Sequence, residues 1–232
     1  MTTSPPRKRP DSSSAAGTAA PLQARSQAGL ARMLLAGREL IEASGNLDDL
    51  SINDIVERAG TSIGAFYRRF DNKDAFFEVV QNRVMAEGLV YARELLAHDS
   101  VWRSGEAGTI ADALVLFYVQ AFRRNRGLYH ASLLRASQLK PSWDIAKEAN
   151  REVLTLFVPV LVEALRKARG AKVAEADALE FEVRASLQMI NGMLVNIILN
   201  DPGPLSLANR RLRPWLQTQF RRCLVLPELP ES

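Results

Sequence analysis

Between residues 50 and 70 two short apolar stripes follow one another with almost nothing between them. Ile52, Ile55, Val56 and Ala59 recur at the spacing of one helical face, and Phe66 and Phe70 do so again after Ala59-Gly60-Thr61. Ser51 is placed to cap the first stripe, with Asp54 as a short variant of the capping-box carboxylate. Gly60 supplies its exit, because a positive φ carries little penalty only for glycine. Ser62 caps the second stripe, expected over Ile63 to Phe70. A junction this short makes the two helices meet at a steep angle, and neither is long enough to be stable without a third element behind it.

That third element is legible upstream. From about Arg25, Leu30, Met33, Leu34, Gly37 and Ile41 form one buried stripe, which Ser44-Gly45-Asn46 ends. After Asp71-Asn72 a long helix is expected from Lys73 to Ala97, with Phe77, Val80 and Val84 turned inward. Further helices are expected near 109–124, 128–138, 142–168, 174–199 and 206–224, with Pro159 kinking the third of these. No alternating β pattern occurs, so the fold class is all-α: an N-terminal three-helix unit containing a helix-turn-helix, then a larger helical domain. The boundaries expected are 1–22, 23–72 and 73–226. Residues 1–22, with Pro5, Pro6, Pro10 and Pro21, many Ser and Ala and the cluster Arg7, Lys8, Arg9, read as a disordered basic arm.

If Phe66 and Phe70 point into the three-helix core, Ser62, Ile63, Ala65, Tyr67 and Arg68 face outward or flank, with Arg69 and Lys73 nearby. Hydroxyls, cations and small residues on one face suit the close approach of a helix to a phosphate-lined groove in double-stranded DNA. The stretch TSIGAFYRRFDNKDAFF, residues 61–77, and LSINDIVERAG, residues 50–60, resemble the recognition helix and helix 2 of the TetR (tetracycline-repressor) family of transcriptional regulators. The resemblance implies phosphate contacts from Ser51, Tyr67 and Lys73, and places Ile63, Gly64, Ala65 and Arg68 against base edges or sugar. Asn53 is a further candidate for a base contact, and Arg69 for the DNA backbone. Thr61 stands where that family usually has valine, and Arg69 where an aromatic or His is frequent.

Composition narrows the alternatives. A net charge of +4 and a pI near 9.5 agree with an acidic partner such as nucleic acid. A single cysteine, Cys223, leaves no intrachain disulfide framework. The most apolar segment, Leu187–Leu199, is interrupted by Gln188, Asn191 and Asn196 and is shorter than the ~20 residues a bilayer requires, so no membrane partner and a cytoplasmic location are expected. His98 and His130 lie on different elements without ligand spacing to Cys or carboxylates, and no phosphate loop or nucleophile motif is present. No metal, no cofactor and no catalytic residue are therefore expected.

In the family resembled, the larger domain holds an effector pocket. Candidate lining residues for a small, hydrophobic effector are Trp102, Tyr118, Phe122, His130, Trp143 and Gln188. Leu179, Val183, Leu187, Ile190, Leu194 and Ile198 form a helical stripe, while Phe181, Met189, Met193, Val195 and Ile197 widen it beyond one inner face. A helix apolar on two sides is buried on two sides. With Leu212, Trp215, Leu216 and Phe220, the residues Leu187, Ile190, Leu194 and Ile198 are expected to build a four-helix homodimer interface. The expected function is a regulator, a repressor, that binds a palindromic operator as a dimer and is released by an effector. The alternatives are an architectural DNA-binding protein without effector and a helical-bundle enzyme acting on a hydrophobic substrate.

Overall fold

The computed structural model describes residues 16–137, 144–170, 175–200 and 203–227, with side chains from residue 24 onward. The described residues form ten helices and no strand: α1 Ala16–Ser44, α2 Ile52–Arg58, α3 Ile63–Tyr67, α4 Lys73–His98, α5 Ser100–Arg103, α6 Ala107–Arg124, α7 Arg126–Ser137, α8 Asp144–Arg169, α9 Ala176–Asn200 and α10 Leu212–Cys223.

Helix α1 begins at Ala16 instead of Arg25. Ala16, Ala19, Ala20 and Leu22 are good helix formers, and prolonging an existing helix costs much less than nucleating one. Residues 1–15 of the expected basic arm, with Arg7, Lys8 and Arg9, lie outside the described residues. Helix α3 stops at Tyr67 and not Phe70, because the Arg69 N–H turns to the Phe66 carbonyl at 2.9 Å and tightens the last turn. Helix α8 runs through Pro159.

Two departures come from side chains that claim backbone groups. The sequence signal between 98 and 107 hid the short α5, whose first turn is capped by Asp99 accepting the Val101 N–H at 2.9 Å. The segment expected to be helical from 206 forms turns until Leu212, because the Arg123 guanidinium takes the carbonyls of Leu207 and Asn209 at 2.7 and 3.0 Å. The Asn209 carbonyl also accepts the Leu212 N–H at 3.2 Å, the turn that leads into α10.

Apolar side chains gather into two clusters. One packs α1, α2, α3 and the first half of α4 around Met33, Ile41, Ile55, Phe66, Phe76 and Phe77, and it takes in Leu128 and Ala131 of α7. The other fills the space between α6, α8, α9 and α10 around Leu114, Phe157, Leu161, Leu194 and Leu216. Each fully buried Phe or Leu contributes roughly 1.5–3 kcal/mol of transfer free energy, so both cores hold their helices firmly. Helix α4 runs from the first cluster into the second through Phe77, Val80, Val84, Leu89 and Ala92.

Candidate nucleic-acid interface and internal cavity

The α2–turn–α3 unit is built by local chemistry. The Ser51 hydroxyl accepts the Asn53 N–H at 3.1 Å, and the Ser62 hydroxyl accepts the Ala65 N–H at 3.2 Å. Each removes one orphan donor from a helix start. Between them Gly60 has φ +58°, the left-handed conformation that lets the chain leave α2. The Arg32 guanidinium of α1 donates to the Ala59 carbonyl at 2.9 Å, fixing the end of α2. Phe66, Phe70 and Phe76 then lock α3 against the core, with ring centroids 4.9–5.3 Å apart.

With Phe66 and Phe70 buried, Asn53, Ser62, Ile63, Gly64, Tyr67 and Arg68 are left exposed on one side, and Ser51 is half-buried beside them. Ser51, Asn53, Ile63, Tyr67 and Lys73 line one shallow groove. Three residues expected on this face behave differently. Ala65 is only 8% exposed, because it adjoins Phe66 on the inward flank of α3, so its methyl belongs to the core and not to a base edge. Arg69 folds back on the protein, donating to the Ala65 carbonyl at 2.8 Å and to the Ser26 hydroxyl at 2.7 Å. The Lys73 ammonium donates to the carbonyls of Leu47, Asp48 and Leu50 at 3.4, 3.3 and 2.9 Å, which ties α4 to the loop that starts α2.

Residues 33–80 match the family profile described as bacterial regulatory proteins, tetR family. Over that segment the chain carries a tetR-type DNA-binding unit. No curated protein sequence matches. The chain is also similar to the crystal structure of RolR in complex with resorcinol, at 15% identity and a TM-score of 0.46 over 90% of this chain and all of that one. The matched segment covers α2, α3, most of α1's buried half and the start of α4, so the TetR-type unit is the groove-bearing one, and the protein is a DNA-binding transcriptional regulator.

Behind this TetR-type head the middle of α4 joins α6, α7, α8 and α9 in lining a partly open cavity of about 520 Å³. Of the residues expected to line it, Tyr118, Phe122 and Gln188 do so. Trp102 does not, because α5 drives its ring onto Phe157 at a centroid distance of 4.4 Å within the core. His130 points the other way, its Nδ1 lying 2.7 Å from the Gly45 carbonyl at the end of α1. Trp143 lies outside the described residues. Asn125, Tyr129 and Asn150 also line the cavity. A polar residue interrupting an apolar helical face, as Asn150 does before Val153 and Phe157, was the signal that could have found them.

Among the described residues the cavity wall holds no buried charge; Lys147 and Arg151, which line it, are exposed. The Tyr118 hydroxyl donates to Asn150 Oδ1 at 2.8 Å. Burial pushes the Tyr118 phenol well above its ordinary range, with Tyr129 adding to the effect, and it pushes Tyr129 up to about 12, with the Glu42 carboxylate adding. Among the described residues no cluster of three or more His, Cys, Asp or Glu is placed to hold a metal ion, and no helix is long and apolar enough to cross a membrane.

Helix α7 joins the cavity to the head. The Glu42 carboxylate of α1 accepts the N–H groups of Gly127 and Leu128 at 2.8 and 3.1 Å, capping α7 where its dipole favours an anion. Arg135, at the far end of α7, is buried and donates to Asp48 at 3.0 Å while also pairing with Asp74. Arg135 thereby ties the loop before α2 to α7, a pairing that no local pattern showed.

The expected dimer residues require a correction. Leu187, Ile190, Leu194 and Ile198 of α9 and Leu212, Leu216 and Phe220 of α10 are buried in the chain's own second core. Only Trp215 of that set is exposed, at 38%. Helix α9 carries apolar residues on two sides, and the continuous stripe is the one its own α6, α8 and α10 require. The opposite side shows Phe181 at 75% and Met189 at 62% exposure, followed by Leu199.

Proposed function

We propose that this regulator is a dimeric repressor that binds a palindromic operator through α3 and is released when a small molecule occupies the cavity. The observation that carries the reading is the α7 connection. Tyr129 lines the cavity, while Glu42, Gly45 and Asp48 of the head are bonded to Gly127, His130 and Arg135 on the same helix. An effector acts only through unequal affinity for the DNA-competent and incompetent arrangements, and an element shared by cavity and head supplies that inequality.

In this reading residues 23–72 read DNA and residues 73–226 hold the effector and the dimer contact. Tyr67 and Ser51 meet phosphates, Ser62 and Asn53 flank them, and Ile63, Gly64 and Arg68 approach base edges. Lys73 holds the α2 loop in register, and Arg69 braces α1. Phe181, Met189, Leu199 and Trp215 form the apolar centre of the contact between two copies, because exposed rings and thioethers of this size are unfavourable in water. The protein works in the cytoplasm and performs no catalysis.

Selection of bound sequences from random DNA tests the proposal. A palindrome with half-sites about 34 Å apart is the expected winner, since each copy presents one recognition helix. Enrichment of single, asymmetric sites, or none, would overturn it.

A further inference from the structure

The wall of the cavity restricts the chemistry of what enters it. Phe117, Phe122, Val84, Leu89 and Val153 form the apolar surface. The polar groups between them, on Tyr118, Tyr129, Asn125, Asn150, Gln188 and Asn191, are all uncharged. Lys147 and Arg151 also line the cavity, but both are largely exposed and each pairs with an acid one turn earlier on α8, Asp144 and Glu148. The carboxylate acting on Tyr129 from the α1 side is Glu42, already committed to the start of α7.

A carboxylate drawn between the rings would give up its water with only cations already paired to Glu87, Asp144 and Glu148 in reach, namely Arg38, Lys147 and Arg151, and would meet the field of Glu42. An ammonium would find no buried carboxylate. Either transfer is strongly unfavourable, whereas a hydroxyl, carbonyl or amide finds neutral partners. The Phe and Tyr rings favour a flat partner, offset-stacked or edge-on, and 520 Å³ is within the range of small-molecule sites.

We propose that the cavity takes an uncharged, flat-ring molecule carrying a neutral hydrogen-bonding group, with the Tyr118–Asn150 pair as the polar anchor and Asn125 as the contact that senses occupancy. The proposal rests on the effector-regulated reading above and specifies its ligand class. Asn125 closes α6 and faces two ways: its Oδ1 accepts from Arg38 of α1 at 3.3 Å, and its Nδ2 donates to the Ala121 carbonyl at 3.0 Å. A ligand donor that reaches Asn125 competes with Arg38 for one amide oxygen, and so acts on α1 directly.

Titration calorimetry on the full chain, without DNA, tests the class with four probes that share one ring system: naphthol, naphthoate, naphthylmethylammonium and naphthalene. Naphthol is expected to bind at least about tenfold more tightly than each of the others, a gap that one satisfied hydrogen bond or one unpaired charge readily produces. Asn150→Ala or Tyr118→Phe, with helicity checked by circular dichroism, is expected to lower naphthol affinity to that of naphthalene. Naphthoate or naphthylmethylammonium binding as tightly as naphthol would overturn the proposal, as would no naphthol binding, or naphthol binding unchanged in both folded variants. Because no DNA is present, the outcome is separate from the operator selection. Naphthol binding with no selected palindrome would remove the repressor reading and leave the cavity chemistry standing.

Discussion

Glu42 and Gly127 approach so closely that no side chain fits between them. The Glu42 carboxylate accepts the Gly127 N–H at 2.8 Å, and a Cβ on Gly127 would lie 2.3 Å from the Glu42 carbonyl oxygen. The neighbouring atoms are backbone, so the contact cannot relax by a rotamer change. It is the point at which the DNA-reading head presses on the start of α7.

Gly127→Ala is therefore expected to destabilise the protein, at about the 1–3 kcal/mol typical of overpacking. For a chain of this length that corresponds to a fall in Tm of several degrees, roughly 2–4 °C per kcal/mol. Thermal unfolding followed by circular dichroism measures it. A Tm equal to that of the wild type would mean that α1 and α7 are not held together here.

Lys73→Ala is expected to weaken binding to every DNA sequence alike, because it frees the loop that presents α2 and touches no base. Its ammonium is already shared among three carbonyls, so the slope of log affinity against log salt is expected to change by less than the roughly one unit per half-site that a lost phosphate contact produces. Affinities measured across a salt series decide between these roles. A full-unit drop would put Lys73 on the phosphate backbone.

Arg68→Ala and Ile63→Ala are expected to change sequence preference, each lost base contact costing about 1–3 kcal/mol. Tyr67→Phe removes only the hydroxyl proposed to meet phosphates and is expected to leave preference intact. Competition between operator and scrambled DNA reads the difference. Equal losses on both for Arg68→Ala would take that side chain away from the bases.

Phe181→Glu combined with Trp215→Glu is expected to yield a folded monomer, since both side chains lie outside the chain's own core. Leu187→Glu or Leu194→Glu, by contrast, buries a carboxylate within that core at several kcal/mol per ion and is expected to unfold the second half of the protein. Sedimentation gives the mass and circular dichroism the helicity. A Phe181→Glu, Trp215→Glu protein that remains dimeric would move the interface elsewhere.

Much of the short-range chemistry was legible in the sequence, although the Asp99 cap that starts α5 was not. Ser51 and Ser62 cap the helices they precede, Gly60 adopts the left-handed turn, and Phe66 and Phe70 enter the core. Each of these outcomes is decided within about four residues, where the periodicity of a single helix and the hydrogen-bonding needs of its ends leave few options. Partners distant in the chain were not legible. The guanidinium of Arg135 meeting Asp48, the Trp102 ring packing on Phe157, and His130 turning to Gly45 instead of the cavity are all contacts between elements distant in the chain. The same holds for α9, whose two apolar sides are both visible in the sequence. Which side faces the core and which faces outward was settled by the placement of α6, α8 and α10, because periodicity identifies a face but only packing assigns its neighbour.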